Sequence, residues 1–271
     1  MIQENIYCKK PYEIRENVPI FCKSDEYVEN YDIIARALLD GIEKNGENPF
    51  MDENAWKEAE KDTADVCFRY INHSSDYKIL DVGCGTGRML SYFSGVNKYG
   101  IDVSFDMAKM CREKGIEACM GDVQNMPFAD ESMDMVICTD VLEHVFDLYK
   151  TVSEINRVVK KGGYIIVRVP QNEDTRSYLD PSYPFKYVHL RIFSESSLAL
   201  YFTKVFKLSF LEAKNTSKIN AGQWIRPKFL TRKVYAAFCT INPKLRQNKK
   251  FRSYFLSKNY RYKEIIEVFR K

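Results

Sequence analysis

Short apolar runs alternate with stretches of helical periodicity through most of the chain. The apolar runs predict strands, and the intervening segments, whose apolar residues recur at helical spacing, predict helices. The predicted strands are 78–82, 99–102, 116–120, 133–138, 163–169, 206–212 and 264–269. The predicted helices between them are 86–93, 105–114, 148–159 and 196–203. This alternation is typical of an α/β fold with a doubly wound, mostly parallel seven-stranded sheet.

The first part of the chain lacks this alternation. Prolines interrupt its short apolar pieces, and helical spacing recurs only over residues 31–42 and 53–71. We therefore expect four units along the chain. They are an N-terminal extension that forms a helical cap (1–53), a core (54–213), a basic aromatic insert (214–263) and the final strand of the core (264–271). If that final strand is antiparallel, the insert begins and ends at one edge of the sheet and caps the substrate side.

Composition narrows the class of protein. The chain has 271 residues and is 45% hydrophobic, enough to bury a sizeable core. No apolar run approaches the ~20 residues of a membrane span, and no signal sequence is apparent, so we expect no integral membrane segment and a cytoplasmic location. The eight cysteines form no C-x-x-C pair, which favours free buried thiols. Cys8 and Cys22 alone do not complete a tetrahedral site, so no metal is predicted.

Charge is distributed unevenly. Residues 222–271 contain 14 Lys and Arg but two Asp and Glu, although the whole chain carries a net charge of only +4. Aromatic residues lie among these cations. The segment suits an anionic small substrate, nucleic acid or peripheral contact with an anionic membrane surface. The alternative is an amphipathic lid whose cations are merely solvated, and no recognisable RNA-binding module supports the nucleic-acid interpretation.

A glycine-rich turn follows the first predicted core strand. Glycines at 83, 85 and 87 allow a tight turn and a close approach to a ligand. Because Arg88 stands where the dinucleotide fingerprint requires glycine, and no P-loop lysine follows, the turn is not built for a pyrophosphate. We expect it to open a helix whose N-terminus favours an anionic group.

Two carboxylates end the next two predicted strands. Asp102 lies 19 residues after the first glycine, a position from which a carboxylate in a doubly wound sheet can accept hydrogen bonds from both ribose hydroxyls. Asp122 follows the third strand, where it suits an adenine amino group. Carboxyl ends of neighbouring parallel strands form one crevice, so the sequence predicts a ligand site at this edge.

Four blocks of sequence resemble the class I S-adenosylmethionine-dependent methyltransferase family, in the subgroup that acts on small molecules or glycans. The blocks are ILDVGCGTGRML (79–90), YGIDVS (99–104), GDVQNMPFADESMDMVICTDVLEHV (121–145) and VVKKGGYIIVRVP (158–170). The resemblance covers roughly residues 62–203. It implies S-adenosyl-L-methionine as cofactor. The implied cofactor-binding residues are Asp81, Gly83, Cys84, Gly85, Gly87, Asp102, Val103, Asp122, Val123 and Thr139.

Three residues are candidates for the catalytic side of the site. Asp140 ends the fourth predicted strand, and His144 and His189 are candidate general bases because imidazole titrates near neutral pH. For each histidine, the alternative is a packed or solvent-facing residue without a chemical role. A dedicated base is not obligatory, since positioning and desolvation supply much of the acceleration of methyl transfer.

The expected function is methyl transfer to an O or N atom of a small metabolite or glycan precursor. The first alternative is an RNA methyltransferase that uses the basic segment. The second is a non-catalytic cofactor-binding subunit that partners another protein.

Overall fold

The computed structural model describes residues 6–45, 48–50, 53–72, 74–171, 173, 175–219 and 261–271. Its strands are β1 (Glu13–Arg15), β2 (Val18–Ile20), β3 (Lys78–Val82), β4 (Asn97–Asp102), β5 (Glu117–Met120), β6 (Met133–Thr139), β7 (Val159–Pro170), β8 (Ser209–Ile219) and β9 (Arg261–Arg270). Its helices are α1 (Glu26–Asn45), α2 (Glu53–Phe68), α3 (Phe105–Glu113), α4 (Leu148–Val158) and α5 (Glu195–Leu200).

All described strands join one sheet in the order β1-β2-β5-β4-β3-β6-β7-β9-β8. The five strands β3 to β7 pair in parallel, whereas β9 runs antiparallel to both β7 and β8. The α/β class and the seven predicted strands are therefore confirmed, including an antiparallel final strand. β8 and β9 reach beyond their predicted bounds into the predicted insert, and residues 220–260 of that insert lie outside the described residues.

The sheet has two more strands than predicted, because β1 and β2 form a hairpin at its edge. Glu16 and Asn17 make the turn with φ of 45° and 64°, the left-handed pair that suits a two-residue hairpin loop. Each strand has only three residues, and all three residues of β2 are buried. Such strands are too short to show alternation, so the expectation of a purely helical N-terminal cap was incomplete.

The predicted helix at 86–93 is wrong, because the structure has only a short 3₁₀ turn over Met89–Tyr92. Its end is set by Phe93, which adopts an extended conformation and buries its ring against Phe68 at a centroid distance of 5.4 Å. Gly95, at φ 72°, then redirects the chain into β4. A four-residue turn provides no helix dipole, so the expected anion site at a helix N-terminus is not formed.

Alternation along the strands gives the sheet two buried faces. In β3, Leu80 and Val82 belong to one apolar cluster and Ile79 to the other. Side chains of β9 divide between the same two clusters: Ile265 and Phe269 pack in the first, and Ile266 and Val268 pack in the second. Burial on both faces explains why the central strands are continuous apolar runs. Among the described residues, no helix combines the length and apolar character that a membrane crossing requires.

The packing of Phe202 on β9 stabilises the antiparallel edge of the sheet. Its ring is fully buried and stacks on Phe269 with centroids 4.5 Å apart, whereas Phe210 contacts the same ring at 5.8 Å and is 41% exposed. We expect Phe202→Ala to lower the free energy of unfolding by about 3–5 kcal/mol and Phe210→Ala by about 1 kcal/mol. Urea denaturation followed by circular dichroism measures both. Equal losses would contradict this account of the edge.

Candidate active site

The loop after β3 is shaped by three glycines with positive φ, Gly83 (71°), Gly85 (49°) and Gly87 (76°). A Cβ on Gly83 would lie 2.3 Å from Cγ2 of Val141, and one on Gly87 would lie 2.7 Å from Cδ1 of Ile116. A Cβ on Gly85 would meet nothing within 4 Å. Two glycines are thus required by packing inside the protein, and the third faces open space.

Asp102 borders that space. Its Oδ2 accepts a hydrogen bond from the Gly85 amide at 2.8 Å, and its Oδ1 accepts one from the Ser104 amide at 2.9 Å. Burial raises the pKa of Asp102, and these two amides act in the opposite direction. Each carboxylate oxygen keeps acceptor capacity beyond one amide bond. The carboxylate is therefore fixed in place next to the glycine loop and can still accept from a ligand.

Asp81 lies at the base of the same loop. It is 1% exposed, and its Oδ1 has no hydrogen-bond partner within the described part of the chain. Burial raises the pKa of Asp81 well above its ordinary value, against the opposing charge of Arg168. A buried carboxyl oxygen without a partner is costly and suits a hydrogen-bond donor on a ligand.

The end of β5 is also rigid. Asp122 accepts hydrogen bonds from the backbone amide of Gln124 at 2.8 Å and from its Nε2 at 3.2 Å, and Gln124 in turn accepts from the amide of Asp147. Val123 beside it is buried. Asp122 and Val123 thus offer a polar and an apolar surface, as the sequence predicts. Asp122 already accepts two hydrogen bonds from Gln124 in the turn that follows it.

Three other predicted cofactor residues have different surroundings. Cys84 is buried, with its Sγ 3.5 Å from Sγ of Cys111, so its side chain packs inward and only its backbone belongs to the loop. Val103 packs against the cluster formed by β2 and α1. Thr139 is the last residue of β6 and is partly exposed at the crevice edge.

Asp140 adopts a left-handed conformation with φ 56° immediately after β6. Its carboxylate accepts from Arg168, which is 2% exposed and also donates to Oγ1 of Thr63 at 3.1 Å. Nε of Arg168 lies 3.2 Å from Oε2 of Glu264. Because a buried guanidinium holds this carboxylate, Asp140 suits a positioning role better than that of a free base.

The two predicted histidines come together, with ring centroids 4.6 Å apart. His144 directs Nδ1 at the carbonyl of Val188, at 3.2 Å, and burial together with the charge of His189 lowers the pKa of His144 to about 3. His189 directs Nδ1 at the carboxylate of Glu173. Burial raises the pKa of Glu173, but the hydrogen bonds from His189 and Tyr178 and the charges of the two histidines together outweigh burial, and the net pKa is lowered.

The segment that carries His189 is fastened to the turn after β6. The amide of Leu190 donates to the carbonyl of Glu143 at 2.8 Å, and Arg191 donates to the carbonyls of Leu142 and Phe146 at 2.9 and 3.1 Å. α1 covers the outside, where Asn30 donates to a backbone carbonyl of the same segment at 2.9 Å. Three chain segments are therefore held in a fixed arrangement around the two histidines.

Sequence reasoning missed Glu143, Arg168 and Glu173. Glu143 is 1% exposed, and burial followed by the charge of Asp140 raises its pKa well above the ordinary value. An arginine within an apolar strand was a usable signal for Arg168. Nothing in the local pattern distinguishes Glu173.

Comparison with known proteins identifies the domain. Residues 80–167, about a third of the chain, match the family described as a methyltransferase domain. An uncharacterized protein of Methanocaldococcus jannaschii is 36% identical over 107 residues, 40% of this chain and 50% of that protein. The Arabidopsis thaliana tRNA (carboxymethyluridine(34)-5-O)-methyltransferase is 36% identical over 102 residues, 36% of this chain and 25% of that protein. The matching region thus spans half or less of these curated relatives.

A solved structure extends the likeness of fold to nearly the whole chain. Geranyl diphosphate C-methyltransferase from Streptomyces coelicolor A3(2), in complex with Mg²⁺, geranyl diphosphate and S-adenosyl-L-homocysteine, aligns with a TM-score of 0.56 and 15% sequence identity, over 92% of this chain and 99% of that chain. At this identity the likeness concerns the fold alone.

Substitutions of Gly83 and Gly85 separate packing from ligand binding. Gly83→Ala combines an unfavourable φ with a contact to Val141, so we expect it to lower the free energy of unfolding by about 2–4 kcal/mol. Gly85→Ala carries only the left-handed strain of about 1–2 kcal/mol, yet its methyl group occupies the open space and should weaken S-adenosylmethionine binding at least tenfold. Urea denaturation and calorimetry measure the two effects. Unchanged affinity in Gly85→Ala would show that the space is not a ligand site.

The family match covers β3 to most of β7, the part of the chain that carries the glycine loop, Asp102 and Asp122. The sheet order and the antiparallel final strand extend the same architecture to the C-terminal edge. Residues 80–167 therefore match a methyltransferase domain, and the fold around them is that of solved methyltransferase structures.

Proposed function

We propose that this protein transfers a methyl group from S-adenosylmethionine to an O or N atom of a small metabolite or glycan precursor. The observation that carries the proposal is the open space at Gly85, bordered by the carboxylate of Asp102. A glycine that no internal contact requires, bonded to a fixed carboxylate, fits a backbone surface against which a ligand lies.

The surrounding residues fit the cofactor. Asp102 would accept hydrogen bonds from the ribose hydroxyls, and Asp122 and Val123 would flank the adenine. The unpartnered Oδ1 of Asp81 fits a donor at the methionine end. When bound, S-adenosylmethionine supplies a methyl group on a positively charged sulfonium.

The acceptor side favours a hydroxylated or amine-bearing small molecule over a phosphate backbone. Its described charged side chains include the acids Asp140, Glu143 and Glu173, and the guanidinium groups of Arg168 and Arg191 are engaged with the protein itself. Aromatic rings lie next to these acids. The ring centroid of Tyr178 is 5.6 Å from that of His189 and 5.0 Å from that of Tyr183. Rings and acids together suit a polyol, whose faces are apolar and whose hydroxyls donate hydrogen bonds.

The three candidate catalytic residues take different roles in this proposal. Asp140, held by Arg168, positions the edge of the site. His189, with Nδ1 on Glu173, keeps Nε2 available to accept a proton from the acceptor, in the arrangement by which a carboxylate orients a basic imidazole. His144 remains neutral and supports the ring of His189.

Methyl transfer to RNA is the second candidate, and two observations favour it. Curated relatives of the matched region include proteins named as tRNA methyltransferases. The basic segment 222–271 suits a polyanion, although residues 222–260 lie outside the described residues.

Asp102→Ala tests the cofactor site. Loss of the charge-assisted hydrogen bonds to the ribose should weaken S-adenosylmethionine binding by roughly 1.5–3 kcal/mol, measured by calorimetry. Asp130→Ala is the control, since Asp130 is exposed and pairs with Arg157 away from the glycine loop. Equal affinity in wild type and Asp102→Ala would remove Asp102 from the site, and no binding by the wild type would overturn the proposal.

The acceptor class is tested with methyl-labelled cofactor. We expect label to enter the low-molecular-weight or glycan-precursor fraction of a cell extract and not the RNA fraction. Label in RNA, with binding that weakens steeply as salt rises, would favour the second candidate. Cofactor binding without labelling of any fraction would indicate a non-catalytic subunit.

A further inference from the structure

Three side chains on the acceptor side form a compact group of metal-ligating types. The carboxylate of Glu143 and the imidazoles of His144 and His189 place one ligand atom each within 4.8 Å of one another. Glu143 and His144 come from the turn after β6, and His189 comes from the segment before α5. Two imidazoles and a carboxylate are a ligand set that first-row divalent metals accept.

Glu143 gives the strongest indication that something is bound here. It is 1% exposed, and neither of its carboxylate oxygens has a hydrogen-bond partner within the described chain. Its neighbours Leu142 and Val145 are fully buried. Buried carboxylates are normally hydrogen-bonded, paired with a cation or coordinated to a metal.

Both histidines are oriented as metal ligands usually are. Nδ1 of His144 is engaged by the carbonyl of Val188, and Nδ1 of His189 by the carboxylate of Glu173, which leaves Nε2 of each ring for a ligand. Glu173 is itself held by the hydroxyl of Tyr178 at 2.8 Å. A carbonyl or carboxylate on the second ring nitrogen is the common outer support of a metal-bound histidine.

We propose that Glu143, His144 and His189 form a binding site for a divalent transition-metal cation on the acceptor side of the crevice. The bonds from Leu190 and Arg191 to the turn after β6 hold the two halves of this site together. Three protein ligands leave coordination positions open for an acceptor oxygen. A cation lowers the pKa of a hydroxyl bound to it, so this inference, which rests on the proposed function, narrows the acceptor to a hydroxyl compound and replaces His189 as the base.

This site differs from the sequence-based expectation of no metal, which considered only Cys8 and Cys22. The ligands now proposed are separated by 45 residues in the chain, from His144 to His189. Their proximity depends on the fold and is not visible as a spacing motif.

Cobalt provides the test, because its visible absorption reports coordination. Untagged full-length protein is stripped with a chelator and titrated with Co²⁺ by calorimetry and absorption. We expect one Co²⁺ per chain, with affinity reduced at least tenfold in Glu143→Gln and in His189→Gln. Glu267→Gln is the matched control, since Glu267 is also buried with two unpartnered carboxylate oxygens but lies on β9 outside the group.

Binding of S-adenosylmethionine to the same variants shows whether they are folded and separates the two proposals. Co²⁺ binding that is absent in the wild type, or unchanged in both Glu143→Gln and His189→Gln, overturns the metal site and leaves Glu143 as a buried protonated acid. Co²⁺ binding without cofactor binding overturns the proposed function and leaves the metal site standing.

Discussion

The hydrogen bond from the Gly85 amide to Asp102 joins the ends of two parallel strands and creates the site. It fastens the glycine loop to the end of β4, and it places a carboxylate beside an open backbone surface. Gly83 and Gly87 make the bond possible, because side chains at either position would collide with Val141 or Ile116. The remaining features of the crevice are arranged around this contact.

The sequence predicted the part of the molecule in which local pattern and global fold agree. The central strands are buried on both faces, so they appear in the sequence as apolar runs. The ends of those runs locate the acids at the edge of the sheet. The hairpin at β1 and β2 was missed because three-residue strands carry no periodicity. The helix at 86–93 was wrong because Phe93 gains more by entering the core than by continuing a helix.

The acceptor side could not be read in the same way. Asp140 and His189 were recognised as chemical groups, but Arg168 and Glu173, which hold them, come from separate segments. Long-range contacts such as those of Arg191 bring these segments together. The fold thus places His189 beside Glu143 and His144, the group for which we propose a metal.

The amide resonance of Gly85 tests the central claim most directly. In a titration of isotope-labelled protein with S-adenosyl-L-homocysteine, followed by NMR, the account predicts that the Gly85 amide is among the most strongly shifted signals. The amide of Gly162, near the start of β7, should stay in place. An unshifted Gly85 amide under saturating ligand would contradict it.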